Sequence, residues 1–460
     1  MASSPSYQPR SIADVRAEMD AASPEEIQAA LQARINAAAA LNAFTVLADA
    51  SVHAQSRVAQ GPLSAMPFAV KDNIDALPFP TTGGSPALRD LTPSADAPAV
   101  ARVRAAGAVL VGKTNLHELA FGVTSNNAFF GSVRNPFDLT RVAGGSSGGN
   151  GAAVAVGAVP FTIGTDTGGS VRIPAAFCGI VGFRPSTGRY PAGGVLTLSS
   201  TRDTIGVMSA TVADAALVDA VICGVPEAIR PLSRPIRLGL LGGFRLGLSG
   251  RVDDAFTRAV VSLASAGIEI VPVEEPAFAA ANEELGVPIA TCEIADRWSQ
   301  FAAERLGLTL AAFAETLCSP DVREGFASLD EAARRMRPAY AEAVSHRLRE
   351  LQALYSNVLE THGLDALLTQ SVPVQPPKVG DDSHFVSDGV TLPTFATLTR
   401  TAALATLLGT PSISLPAGVD ADGLPIGLQI DGARGADLHL LAVAAALEAM
   451  LRPKLNGALQ

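Results

Sequence analysis

The sequence predicts an α/β protein in which a large mixed or parallel β-sheet is sandwiched between α-helices. Three observations carry that expectation. Short, largely apolar runs, such as Pro67–Val70, Ala108–Val111 and Val159–Ile163, have the length and pattern of strands buried on both faces. Segments with helical spacing alternate with them. The clearest case is 235–273, where Ile236–Leu241, a helix over 251–265 and Ile268–Val273 read as strand, helix, strand. Composition agrees: of 460 residues, 48% are hydrophobic and only 17% charged, so the interior must be extensive. Ala and Gly abound while aromatics make up 5%, which suits close packing of helices on a sheet.

The elements follow in order. Residues 10–60 read as helices. Within them Ser23-Pro24-Glu25-Glu26 is a capping box with proline at the first helical position, followed by Ile27, Leu31 and Ile35 at helical spacing. The strand Pro67–Val70 runs into Lys71-Asp72-Asn73. A helix from 98 leads through Gly107 to the strand 108–111. Glycine, serine and threonine dominate 144–194, with a small-residue helix at Ala152–Val156. Residues 280–362 are mostly helical, 366–430 alternate strands and loops, and a final helix covers 436–451. The Pro/Gly-rich segment 372–393 reads as a long loop with the character of a lid. No internal repeat or low-complexity linker is visible.

The formal net charge of −10 and a pI near 5.2 argue against nucleic acid or an anionic membrane as the main partner. The four cysteines, Cys178, Cys223, Cys292 and Cys318, show no CxxC spacing, which fits a reduced, cytoplasmic setting. The start, MASSPSYQPR, lacks an apolar signal core, and the apolar stretch 151–165 is too short and glycine-rich to span a bilayer.

Two serine-bearing segments and one lysine stand out. Gly144-Gly145-Ser146-Ser147-Gly148-Gly149 could be a Gly/Ser linker, but it runs directly into a small-residue apolar helix that must be buried. It also fits GxSxG twice, the nucleophile-elbow pattern of an α/β-hydrolase esterase. The preceding Asp138–Ala143 is a poor strand, however, and His346, His362, His384 and His439 have no recognisable setting. Gly164-Thr165-Asp166-Thr167-Gly168-Gly169-Ser170 leaves a strand and turns through glycines. Such a turn either is structural or lets successive N–H groups converge on an anion beside Ser170. Lys71 ends a strand and, taken alone, reads as a salt-bridged or snorkelling residue. Gly107–Thr114 matches the P-loop pattern GxxxxGK[ST] by accident, because its variable positions are the strand itself. The six histidines are scattered, without metal-ligand spacing, and no dinucleotide fingerprint follows a strand.

Together, Phe68-Ala69-Val70-Lys71-Asp72-Asn73, the GGSSGG hexapeptide and GTDTGGSVRIP, continuing into Ala176-Phe177-Cys178-Gly179-Ile180-Val181-Gly182, closely resemble the amidase signature family. The resemblance is strongest over 60–215. It implies one amidase signature domain over 1–460, with a large mixed sheet between helices and a variable, substrate-shaping region over 275–395. It further implies a serine amidohydrolase with Ser170 as nucleophile, Ser146 as a bridging serine on an unusual cis peptide, and Lys71 as base. The oxyanion donors would be the backbone N–H groups of Thr167, Gly168, Gly169 and Ser170. No cofactor and no metal are implied. The chemistry is coherent. A serine hydroxyl needs a base, and a lysine, with an ordinary pKa near 10.4, can serve if burial lowers it towards about 7 to 8.

Within the family, Thr187–Pro191, Thr201-Arg202-Asp203-Thr204 and Lys113–Gly122 resemble indoleacetamide and mandelamide hydrolases, which act on small arylacetamides. A carbamate (urethane), anilide or ester presents a carbonyl that the same triad could attack. An aminoacyl-tRNA amidotransferase A subunit shares the triad, but Arg172-Ile173-Pro174 and the TRDT segment depart from that branch. Phe121, Gly122, Thr124, Ser125 and Asn126 are expected at the substrate, with Phe129, Phe130 and 372–393 shaping its surroundings. The expected partner is a small-molecule amide or carbamate, the expected assembly a monomer or homodimer.

Overall fold

In a computed structural model of the chain, the structure describes residues 7–49, 60–225, 229–230, 232–244 and 248–458. In chain order the strands are β1 (Phe44–Leu47), β2 (Pro67–Lys71), β3 (Val109–Thr114), β4 (Phe161–Asp166), β5 (Val181–Arg184), β6 (Thr204–Ser209), β7 (Arg237–Leu241), β8 (Glu269–Val273), β9 (Ala366–Gln370), β10 (His384–Ser387), β11 (Val390–Pro393), β12 (Ser412–Val419) and β13 (Pro425–Asp431). Eleven of them form one sheet in the order β1-β3-β2-β4-β6-β5-β12-β13-β9-β7-β8, and β10 and β11 form a separate hairpin. The sheet is mixed: β3-β2-β4 and β9-β7-β8 run parallel, and the remaining pairs antiparallel.

Helices cover both faces, as strands buried at every position, such as β2, β3 and β4, require. On one face, Phe68 and Val70 of β2 and Phe161 and Ile163 of β4 pack with residues of helices Pro98–Ala105, Val212–Cys223, Gly250–Ser265 and Asp437–Ala458. On the other, Ala69 packs with Ala152–Val156 and with Ile35 of Pro24–Ala40. Because side chains alternate along a strand, Lys71 follows Ala69 onto this second face. That is the face of helix Gly148–Ala155, which the GGSSGG segment leads into. A third cluster, centred on the buried Trp298 stacked on Phe313, holds together Val287–Phe301, Leu310–Ala314 and Pro320–Glu342.

The predicted strands 67–70, 108–111 and 159–163, the strand–helix–strand at 235–273 and the capping box at Ser23/Glu26 are all present, with slightly different ends. Several expectations are corrected. Residues 44–47 form β1 rather than helix, because Phe-Thr-Val-Leu carries strand-forming side chains and pairs with β3; the helical reading of 50–59 lies outside the described residues. Short helices stand at Thr394–Thr399 and Ala403–Leu408 where strands and loops were expected, and another at Arg172–Cys178, for which no helix was expected. Segment 372–393 is not a plain loop: it contains the β10/β11 hairpin, which Ser387 and Asp388 tie to Leu248 and Gly250. The P-loop lookalike is strand β3, and its Lys113 is buried in an ion pair with Asp72 at 3.0 Å. All four cysteines are free thiols. Among the described residues no helix is long and apolar enough to cross a membrane.

Candidate active site

β2 delivers Lys71 into the protein with no solvent exposure. Its Nζ donates to Ser146 Oγ at 2.7 Å and to Thr165 Oγ1 at 2.8 Å. Asn73 Nδ2 also reaches Thr165 Oγ1, at 3.1 Å, so the threonine hydroxyl fixes the lysine's second contact. Burial disfavours the ammonium and lowers the Lys71 pKa to about 7, against the opposing pull of the Asp166 and Asp203 charges. A lysine so placed exchanges its proton near neutrality.

The GGSSGG segment is buried throughout and leads into helix Gly148–Ala155. The Gly145–Ser146 peptide bond is cis. The Ser146 carbonyl accepts from His117 N and from Ser125 Oγ, and Ser125 Oγ in turn accepts from Gly148 N. Ser147 Oγ donates to the Thr165 carbonyl, and Ser147 N to the Ser170 carbonyl, which ties the two serine-bearing segments together. No strand precedes this turn: Arg141 and Val142 form only isolated bridges, so an elbow of the α/β-hydrolase type lacks its support.

Ser170 sits just beyond β4, on a turn organised by Asp166. That carboxylate accepts from Gly169 N (2.9 Å), Val171 N (3.2 Å), Arg172 Nε (3.1 Å) and Arg172 Nη2 (3.0 Å). Arg184 Nη1 adds a bond to the Asp166 carbonyl at 2.6 Å and one to its carboxylate at 3.3 Å. Burial by itself would raise the Asp166 pKa, but the two guanidiniums hold it well below the ordinary carboxylate range. Gly169 has φ +114, and a Cβ there would lie 2.5 Å from Ala402 Cβ, so only glycine fits. The Gly169 N–H is thus already engaged by Asp166, which leaves Thr167, Gly168 and Ser170 as the oxyanion donors to consider. The Thr167 hydroxyl is held by Asp203 Oδ1 at 2.6 Å.

Ser170, Thr167 and Gly168 open onto a cavity of about 350 Å³. Of the residues expected at the substrate, Phe121, Gly122 and Thr124 line it. Ser125 and Asn126 do not. Ser125 braces the Ser146 turn, and Asn126 bonds Asp382 behind the wall. Phe129 and Phe130 pack on each other outside the lining, and only Asp382 comes from 372–393. Much of the opposite wall comes from helices Val287–Phe301 and Pro320–Glu342, with Phe395 and Thr399 from Thr394–Thr399.

Sequence reasoning assigned no role to Thr165 or Asp166, although both stand inside the quoted GTDTGGS motif; their β4 position beside Lys71 was the available signal. It also missed His117, Asp321 and Asp382. Spacing gave no metal-type cluster, yet these three groups lie within 4.8 Å of one another on the cavity wall. They are 204 and 61 residues apart in sequence, so no local pattern could reveal them.

Comparisons with known proteins agree with this architecture. The family model "Amidase" matches residues 25–441. An indoleacetamide hydrolase of Agrobacterium vitis is 36% identical over 432 residues, covering 92% of each chain. A mandelamide hydrolase of Pseudomonas putida is 36% identical over 327 residues, covering 68% of this chain and 64% of that protein. A crystal structure of an amidase superposes with a TM-score of 0.84 at 32% identity, covering 96% of this chain and all of the other. Fold and sequence relatives lead to one conclusion: the chain belongs to the amidase family, hydrolases of carbon–nitrogen bonds other than peptide bonds.

Proposed function

We propose that this protein hydrolyses small aryl or alkyl amides through an acyl-enzyme on Ser170, with Ser146 and Lys71 relaying the proton. The observation that carries the reading is the buried Lys71 Nζ, 2.7 Å from Ser146 Oγ, with its pKa lowered to about 7. In its neutral form the contact reverses, and the Ser146 hydroxyl donates to the Nζ lone pair. Ser146 can then accept the Ser170 proton as it passes its own to Lys71. Ser170 Oγ bonds to the substrate carbonyl carbon, and the resulting oxyanion faces the Thr167–Ser170 turn. Collapse breaks the C–N bond, and the amine leaves with the proton returned from Lys71 through Ser146. Water, deprotonated along the same path, then releases the acid and frees Ser170.

The test is covalent capture. An activated phenyl ester or a fluorophosphonate should add one label, on Ser170, by peptide mass spectrometry. Label on Ser146 or Ser147 instead would overturn the assignment. A urethane offers the same carbonyl and would release an amine, an alcohol and carbon dioxide. A panel of arylacetamides, anilides, carbamates and esters on one preparation ranks these substrates.

The lysine base also sets a pH dependence. Protonated Lys71 cannot accept a proton, so kcat/KM should fall on the acid side with a midpoint at about pH 7 and level off above it. A profile flat across the neutral range would remove Lys71 from the role.

A further inference from the structure

The proton relay leaves one polar part of the cavity unused. His117, which follows β3, Asp321 in the first turn of Pro320–Glu342 and Asp382 before β10 converge on its wall. Counting donors and acceptors shows what the cluster lacks. The Thr124 hydroxyl has one proton, and it goes to Asp382 Oδ1. His117 Nδ1, 3.2 Å from that hydroxyl, must therefore donate to it. His117 Nε2 meets Asp321 Oδ2 at 2.9 Å, so both ring nitrogens are engaged as donors. Burial opposes the imidazolium, but the Asp321 hydrogen bond and the charges of Asp321, Asp382 and Glu118 raise the His117 pKa on balance. One imidazolium against two carboxylates leaves one net negative charge.

Acceptors are also in surplus. Behind the wall, Asn126, 7% exposed, donates Nδ2 to Asp382 Oδ1 at 2.8 Å, and its own Oδ1 is buried there without a partner. Asp382 Oδ2 takes none of these bonds. The site is built rather than incidental: a Cβ at Gly122 would lie 2.2 Å from His117 Nε2, so this ring position requires glycine. The other charged group on the lining, Arg202, is turned to the Gly286 carbonyl and the Thr406 hydroxyl.

We propose that His117, Asp321 and Asp382 form a cation-recognition subsite that takes a protonated primary amine carried by the substrate away from the scissile carbonyl. This rests on the reading of Ser170 as an amide-cleaving nucleophile and narrows its substrates to amino-substituted amides or carbamates. An ammonium brings three donors and one positive charge, which the surplus acceptors and the net charge call for. To ligate a metal ion, His117 would have to give up a proton that it donates to Asp321 or Thr124.

The test compares amides of equal length ending in a primary ammonium or a methyl group. The native enzyme should favour the ammonium by about tenfold in kcat/KM, and Asp382→Asn should bring that ratio close to one. A native ratio at or below one, or an unchanged ratio in Asp382→Asn, overturns the subsite. If the native enzyme turns over neither amide, the amide-cleaving reading falls and the subsite falls with it. If Asp382→Asn does not fold, Asp321→Asn reads the same ratio. If neither folds, inhibition of the native enzyme decides: hexylammonium should inhibit more strongly than hexanol, and equal inhibition overturns the proposal. Calorimetry with zinc chloride addresses the remaining source of a cation, and tight zinc binding by the native protein would overturn the ammonium in favour of a metal centre.

Discussion

Ser170→Ala is expected to lower kcat by on the order of 10⁶-fold while the protein keeps its fold. The substitution deletes one oxygen at the edge of an open cavity. The backbone ties of the turn remain, because the Ser170 carbonyl still accepts from Ser147 N and the Asp166 contacts do not involve the serine side chain. Thermal melting should therefore be unchanged. Near-full activity in this variant would sink the acyl-enzyme mechanism outright. Loss of activity together with loss of folding would contradict the claim that the hydroxyl contributes little to the turn.

Asp166→Ala is expected to act in the opposite way, first on stability. It leaves the fully buried guanidiniums of Arg172 and Arg184 without their shared carboxylate. It also strands the N–H groups of Gly169 and Val171. Removing one partner from such a buried pair costs about 3–5 kcal/mol, to be read from urea unfolding. A loss below about 1 kcal/mol would show that the network is dispensable. The pH sign follows from the depressed folded pKa. The charge-dependent stability is complete above the unfolded carboxyl value near 3.9 and is lost as pH falls towards the folded one. There is a second readout. The Asp166 charge holds the Lys71 pKa up, so any folded Asp166→Asn enzyme should show its acid limb at lower pH than the native one.

How much of this was legible in sequence depends on how far apart the interacting residues lie. Strands β2, β3 and β4 could be read because each carries a short, largely apolar run, and the capping box at Ser23 because its partners are three residues apart. Lys71, Ser146 and Ser170 stood out through motifs whose combination is specific. Arg172–Cys178 and Ala403–Leu408 were missed because helices of two turns or less show too little periodicity to separate them from strands or loops. The commitment of the Gly169 N–H to Asp166 could not be foreseen from a glycine count, since it depends on where the carboxylate three residues earlier turns. The cavity wall was the least legible part. Only tertiary packing brings Asp321 and Asp382 to His117, and the phenyl rings of Phe129 and Phe130 were drawn away to each other.

The sheet order has a consequence for how such an enzyme can change over time. The residues proposed for chemistry lie in one unbroken stretch of chain, on β2, β4 and the turns beside them. The helices of Val287–Phe301 and Pro320–Glu342, which supply much of the wall, lie in the long excursion between β8 and β9, at the far end of the sheet order from β2. Selection can therefore rewrite the residues that meet a new molecule while the proposed proton relay stays intact. An experimenter can do the same, confining mutagenesis to that excursion and leaving β2, β4 and their turns alone.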